Sequence, residues 1–223
     1  MTTQESILTQ IRTAIADQKT LPPEIPVIPK VWEIQEHSPA VMTENFRANL
    51  ETVQGEFVLC SDFLQAVQQI NDFLNTAGLN QLAVLDRPLS RKTAEQLDKL
   101  QKRNFVFAPS NPAEVTAVGL AELDAGLVSP EYLLADTGSC LFTAPTAFDR
   151  LATYLMPISV VVAEISMLRE NLPAVWVEMK PKLETATTGE FVIVTGPSRT
   201  ADIEKILILG VHGPKRFRVF LFP

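Results

Sequence analysis

The sequence predicts an α/β protein of three layers, α/β/α, with a mostly parallel central sheet and an N-terminal helical appendage. Two observations carry that expectation. Short apolar runs alternate with stretches of helical periodicity, as in sheets buried on both faces. A proline cluster at 22, 23, 26 and 29 then separates the first helix from everything that follows. The 223 residues, 46% hydrophobic and 20% charged, are enough for one globular domain with a sizeable core. The expected division is 1–39 for the helix and its proline-rich linker, and 40–223 for the α/β domain.

In chain order, Thr2 and Glu5 form a capping-box pattern. Ile7, Leu8, Ile11, Ala14 and Ile15 then follow a helical stripe. A second helix is expected over about 40–53, with Val41, Phe46, Leu50 and Val53 on one side. Phe57–Cys60 is the first strand. A helix from Ser61 to about Thr76 follows and ends at Gly78, which tolerates the left-handed conformation of a helix terminus. Leu82–Leu85 is a strand, Thr93 to about Lys102 a helix, and Phe105–Ala108 a strand.

The second half reads as apolar runs at 132–135 and 140–142, a helix over 146–154, and a β-branched strand at 158–162. A long helix follows over about 164–184, interrupted in pattern by Pro173 and Pro181. Phe191–Val194 is a strand, Ala201–Leu209 a helix, and Arg216–Phe222 the last strand. The central sheet is expected to draw on 57–60, 82–85, 105–108, 158–162, 191–194 and 216–222.

Bulk properties exclude several classes. With 19 basic and 26 acidic side chains the net charge is -7, which opposes non-specific nucleic-acid binding. The longest largely apolar stretch, Leu155–Ala163, is broken by Pro157 and Ser159 and is too short to cross a membrane, so no membrane insertion is expected. Residues Met1–Ser6 lack the basic-then-apolar plan of a signal peptide, and the expected location is cytoplasmic. Two cysteines, Cys60 and Cys140, and two histidines, His37 and His212, do not supply the usual ligands of an iron–sulfur cluster or a structural zinc site. No cofactor or metal is therefore expected in this chain.

Three segments combine glycine with polar groups at element boundaries. In the first, Asp136, Thr137, Gly138 and Ser139 lie between two apolar runs. The carboxylate can exchange a proton and the glycine admits a ligand to backbone amides; a hairpin turn explains the same residues. In the second, Gly196, Ser198, Arg199, Thr200 and Asp202 leave a strand and open the expected helix. Its free N–H groups and the Arg199 guanidinium suit a carboxylate or phosphate, while capping accounts for the hydroxyls. In the third, His212 and Gly213 sit in a Gly–Val–His–Gly–Pro loop, where an imidazole can move a proton near neutral pH. Asp136 and His212 are the candidate catalytic groups, and the other named residues candidate ligand contacts.

The stretch TGPSRTADIEKILILGVHGPK at 195–215 resembles the C-terminal signature of the lactate-utilisation protein C family, whose domain is the LUD domain. The ADTGS turn at 135–139 resembles that family's other landmark. Ser139 replaces a common threonine, and Ser159 stands where some related domains have a histidine.

The resemblance implies a fold similar to ribose-phosphate isomerases, CoA transferases and formyltetrahydrofolate cyclo-ligase. It also implies a part in bacterial oxidation of L-lactate to pyruvate, with companion subunits carrying the iron–sulfur clusters. Three roles stay open at this point: a subunit binding a small carboxylate or phosphate, a stand-alone enzyme on an acyl or phosphorylated metabolite, and a regulatory binding module.

Overall fold

The computed structural model describes residues 3–16, 37–109, 119–120, 122–185, 190–201, 207–209 and 213–223. The chain divides into two units, 1–33 and 34–223. In the first, helix α1 (Thr3–Ala16) carries Ile7, Leu8 and Ile11 on its exposed surface.

The second unit opens with helix α2 (Pro39–Thr52). Ser38 caps it by accepting the Val41 N–H, and Pro39 fills a position where no donor is needed. Strand β1 (Glu56–Leu59) leads to helix α3 (Phe63–Ala77), capped by Asp62 and ended by Gly78 in the left-handed conformation, φ 70°. Strand β2 (Gln81–Val84) leads to helix α4 (Pro88–Leu100), and β3 (Asn104–Val106) follows. Helix α4 starts at Pro88, ahead of the expected Thr93, because proline is pre-set for the first helical turn.

Strand β4 (Ala125–Val128) was not expected from the sequence. It is short, contains Gly126 and is buried at every position, so it shows no alternation. A Cβ at Gly126 would stand 2.6 Å from the Ala152 carbonyl oxygen, so the glycine lets helix α5 (Ala147–Tyr154) lie directly on the strand. Strands β5 (Tyr132–Leu134), β6 (Ser139–Ala144) and β7 (Ile158–Glu164) complete the middle of the chain.

Six strands form one wholly parallel sheet, in the order β1, then β12 (Arg216–Phe222), β7, β4, β2 and β3. Alternate side chains of each strand serve opposite faces. Leu82, Val84, Leu127, Val160, Val162 and Phe220 pack with Ile70 and Leu74 of α3 and Leu97 of α4. Val128, Val161 and Leu221 pack with Phe46 and Leu50 of α2, and with Leu133, Cys140 and Phe142. Helices therefore cover both faces, as expected, and one outer layer also holds a second sheet.

Three expectations are corrected, two of them by that second sheet. Its order is β8 (Leu168–Arg169), β5, β6 and β9 (Glu190–Val194). The 191–194 run belongs here, paired antiparallel with β6, and not in the central sheet. The helix expected over 164–184 is instead the end of β7, a 3₁₀ turn at Ile165–Met167, β8, and helix α6 (Leu172–Thr185). Val175 and Met179 of α6 pack on Tyr132, Leu134 and Leu141, the outer face of this sheet. The helix expected over 201–209 is also overturned. Strands β10 (Arg199–Ala201) and β11 (Leu207–Leu209) pair antiparallel there, Thr200 opposite Ile208. β-branched Thr200 and Ile208 lend themselves to strands. Of the described helices, none is long and apolar enough to cross a membrane.

Candidate functional site

Two of the three glycine-bearing segments come together. Ser139 Oγ lies 2.8 Å from Thr137 Oγ1 and 2.8 Å from Thr195 Oγ1, so hydroxyls link the 136–139 turn to the end of β9. The third segment reaches the second through its backbone. Ser198 N–H donates to the Pro214 carbonyl at 2.8 Å, and a Cβ on Gly213 would stand 3.0 Å from Ser198 Cβ. Arg199 is exposed at the start of β10. Thr200 is described in its backbone only, and Asp202 and His212 lie outside the described residues.

Helix α2 explains the glycines of these turns. Gly138 has φ 65°, and a Cβ there would meet the Leu50 amide nitrogen at 2.3 Å. Gly196 has φ 72°, and a Cβ there would meet Val53 Cγ2 at 2.8 Å. Asn49 Nδ2 donates to the Ala135 carbonyl at 2.9 Å. Both turns are thus seated on the last turn of α2, and their glycines admit a helix. With β10 in place of the expected helix, the helix dipole invoked for an anion near Thr200 is absent as well.

Asp136 stands at the exposed rim of this region. Partial burial of its carboxyl raises its pKa above the ordinary value, and the nearby Glu170 charge raises it further, against hydrogen bonds that lower it. Glu170 accepts from the His37 amide at 2.7 Å and lies 2.8 Å from His37 Nδ1, which ties the start of α2 to the β8–α6 connection.

A different place gathers charge around space. A cleft of about 340 Å³ opens among Arg87, Leu89, Lys92, Glu131, Glu164 and Met167, with Ser129 and two prolines completing it. It lies where β2, β4 and β7 end, at the carboxyl edge of the parallel sheet. Ligands of open α/β sheets gather at that edge, because each strand's backbone there gives way to a loop whose side chains face a common crevice.

Within the cleft the charges divide into a fixed set and an unpaired set. Arg87 Nη2 donates to the Thr143 carbonyl at 2.7 Å and also bonds Thr143 Oγ1, and its Nε lies 3.2 Å from Glu131 Oε1. Thr143 Oγ1 donates to Glu131 Oε1 at 2.8 Å. This network joins the edge of the central sheet to β6 of the second one. Lys92 lies over the Phe63 ring, its Nζ 4.3 Å from the centroid, and has no ion-pair partner among the described residues. Glu164 accepts a 3.2 Å hydrogen bond from Ser166 Oγ and likewise has no ion-pair partner among them. The first turn of α4 also faces this side, with no side-chain cap on its N–H groups.

Sequence reasoning missed all four charged groups of the cleft. Part of the signal was available: Arg87 stands two residues past the apolar run 82–85, and Glu164 two residues past 158–162. Applying the carboxyl-edge rule to every expected strand, and not only to those with glycine nearby, finds Arg87 and Glu164, whereas Glu131 follows the unexpected β4 and Lys92 lies on α4. Cys60 and Cys140 are free thiols buried in cores on opposite faces of the central sheet. Burial pushes both thiols above their ordinary pKa. Among the described residues no three His, Cys, Asp or Glu side chains gather as metal ligands.

Comparison with known proteins places this geometry in context. The LUD domain family model matches residues 43–222. A protein named Lactate utilization protein C from Halalkalibacterium halodurans is 30% identical over 100 residues, 43% of this chain and 42% of that protein. Its namesake from Bacillus pumilus is 30% identical over 125 residues, 53% of this chain and 52% of that protein. The aligned stretches thus span about half the length of these curated relatives. A crystal structure of a DUF162 family protein from Deinococcus radiodurans superposes with a TM-score of 0.61, covering 84% of this chain and all of that one at 12% identity. That likeness concerns the fold.

Proposed function

This chain belongs to the LUD domain family, and from that premise we propose that it is a ligand-binding subunit of a bacterial system that converts L-lactate to pyruvate. Its partners in this proposal are companion subunits that carry the iron–sulfur clusters, and it holds no redox cofactor itself. Its ligand is a small organic anion, seated in the carboxyl-edge cleft. One observation supports that seat above others: Lys92 lines a cavity at the ends of three parallel strands and forms no ion pair among the described residues. An anion entering there meets an available cation, the N–H groups of α4 and the dipole of that helix. Arg87 is engaged by Thr143 and Glu131, so it forms part of the wall.

The paired turns take a supporting part in this proposal. They hold α2 against the second sheet, and Arg199 and Asp136 are rim groups there. Deleting the gene in its native host is expected to abolish growth on L-lactate as sole carbon source. Tagged protein from that host is expected to bring down iron–sulfur subunits, and the chain alone to purify colourless and free of stoichiometric iron. Normal growth on lactate together with absence of those partners would overturn the role.

A second proposal, a stand-alone enzyme on an acyl or phosphorylated metabolite, draws on the same cleft, where carboxylates and cations meet. Turnover by the isolated chain separates it from the first.

A further inference from the structure

We infer that the cleft takes an organic anion bearing several hydroxyl groups and larger than a three-carbon acid, held at its charged end by Lys92 and at a hydroxyl by Glu164. This rests on the cleft being the ligand seat, and it adds the chemical class of what sits there.

Three observations carry it. Lys92 and Glu164 line one cavity, yet they form no ion pair with each other, and neither has another ion-pair partner among the described residues. Arg87 and Glu131, on the wall of the same cavity, do pair. Opposite charges that share a crevice but stand apart favour a guest that presents acceptor oxygens to one and a donor to the other. A carboxylate or phosphate serves the ammonium group. The carboxylate of Glu164 accepts only, and an anionic guest meets it favourably through a hydroxyl O–H.

The cavity has room for more than a minimal ligand. L-Lactate has six non-hydrogen atoms. Even at the roughly 30 Å³ that liquid water takes per heavy atom, six such atoms fill about half of the cleft. The cavity, about 340 Å³, lies in the range of pockets that hold larger small molecules, roughly 300–1,000 Å³. Apolar walls at Leu89 and Met167 suit the carbon face of a polyol chain or sugar ring. The carboxylate and phosphate members of the class share this chemistry, and binding experiments separate them.

The test is calorimetric titration of the full chain with gluconate, glucose 6-phosphate, L-lactate and sorbitol. Gluconate or glucose 6-phosphate, or both, is expected to bind at least tenfold more tightly than L-lactate, and sorbitol not at all. The better of the two anions identifies the charged end. Lys92→Ala is expected to weaken that ligand by about ten- to hundredfold, the range of a charged hydrogen bond. Glu164→Gln, which keeps shape and the capacity to accept from Ser166, should weaken it several-fold and leave L-lactate unaffected. Thermal unfolding checks that both variants stay folded.

L-Lactate binding as tightly as the larger anions, with only Lys92→Ala affecting it, would overturn the ligand class and leave the seat standing. Binding of any anion that neither variant changes, or no binding by any of the four, would overturn both.

Discussion

The turns at 136–139 and 195–199 and the cleft at the ends of β2, β4 and β7 differ in what their residues face. The turns have glycines at positive φ, hydroxyls and an arginine, yet the space beside each glycine is filled by α2 or by Val53 at its C-terminal end. The cleft has no glycine signature, and it holds about 340 Å³ of space with charge on its wall that is unpaired among the described residues. A glycine reports that something comes close to the backbone. Whether that is a ligand or another part of the chain depends on the neighbouring element.

The largest expected effect tests the turns as structural seats. Gly138→Ala places a methyl group 2.3 Å from a backbone nitrogen, at a φ of 65° that L residues avoid. It should cost about 2–4 kcal/mol in chemical denaturation and leave the affinity of the folded fraction for anions unchanged. Lost binding without lost stability would return the turn to the site. In the cleft, Arg87→Ala removes the link between the two sheets and leaves Glu131 and Thr143 without their cation. A loss of roughly 1–3 kcal/mol is expected, with weaker anion binding as the wall loosens.

A smaller effect concerns pH. The folded-state pKa of Asp136 is raised, by burial first, so the folded chain holds that proton more readily than the unfolded chain. Its contribution is therefore most favourable below the unfolded carboxyl range and declines as pH rises through the raised folded value. Asp136→Asn should raise the unfolding midpoint at pH 7 and bring no gain at about pH 3, below the ordinary aspartate range. An equal gain at both values would trace the effect to something other than titration. Smallest of all, Arg199→Ala at an exposed strand end should change stability by less than about 0.5 kcal/mol and leave anion affinity as it was. A tenfold loss of affinity would move the ligand from the cleft to the turns.

Much of the architecture was legible residue by residue. The apolar runs at 57–60, 82–85, 105–108, 158–162 and 216–222 mark five strands of the central sheet, and Gly78 ends α3 as expected. Strand β4 escaped because four residues buried on both faces, one of them glycine, carry no period. The 191–194 run was recognised as a strand, but its sheet was not, since apolar runs look alike whichever sheet receives them. The 201–209 segment has apolar residues at 203, 206, 207 and 209, a spacing compatible with one face of a helix. Pairing between residues 199–201 and 207–209 overrode it.

The sequence by itself determined the class of fold, the positions of most elements and, through the 195–215 and 135–139 signatures, the family. Those are local properties: periodicity, capping residues and motifs are carried by neighbours along the chain. Only the tertiary structure decided which glycines serve packing and which loops enclose space. Arg87, Glu131 and Glu164 stand at or just past the ends of three strands that neighbour one another in the order β2, β4, β7, yet lie tens of residues apart in sequence. No local pattern encodes that meeting, because strand order is set by which buried faces pack together across the sheet.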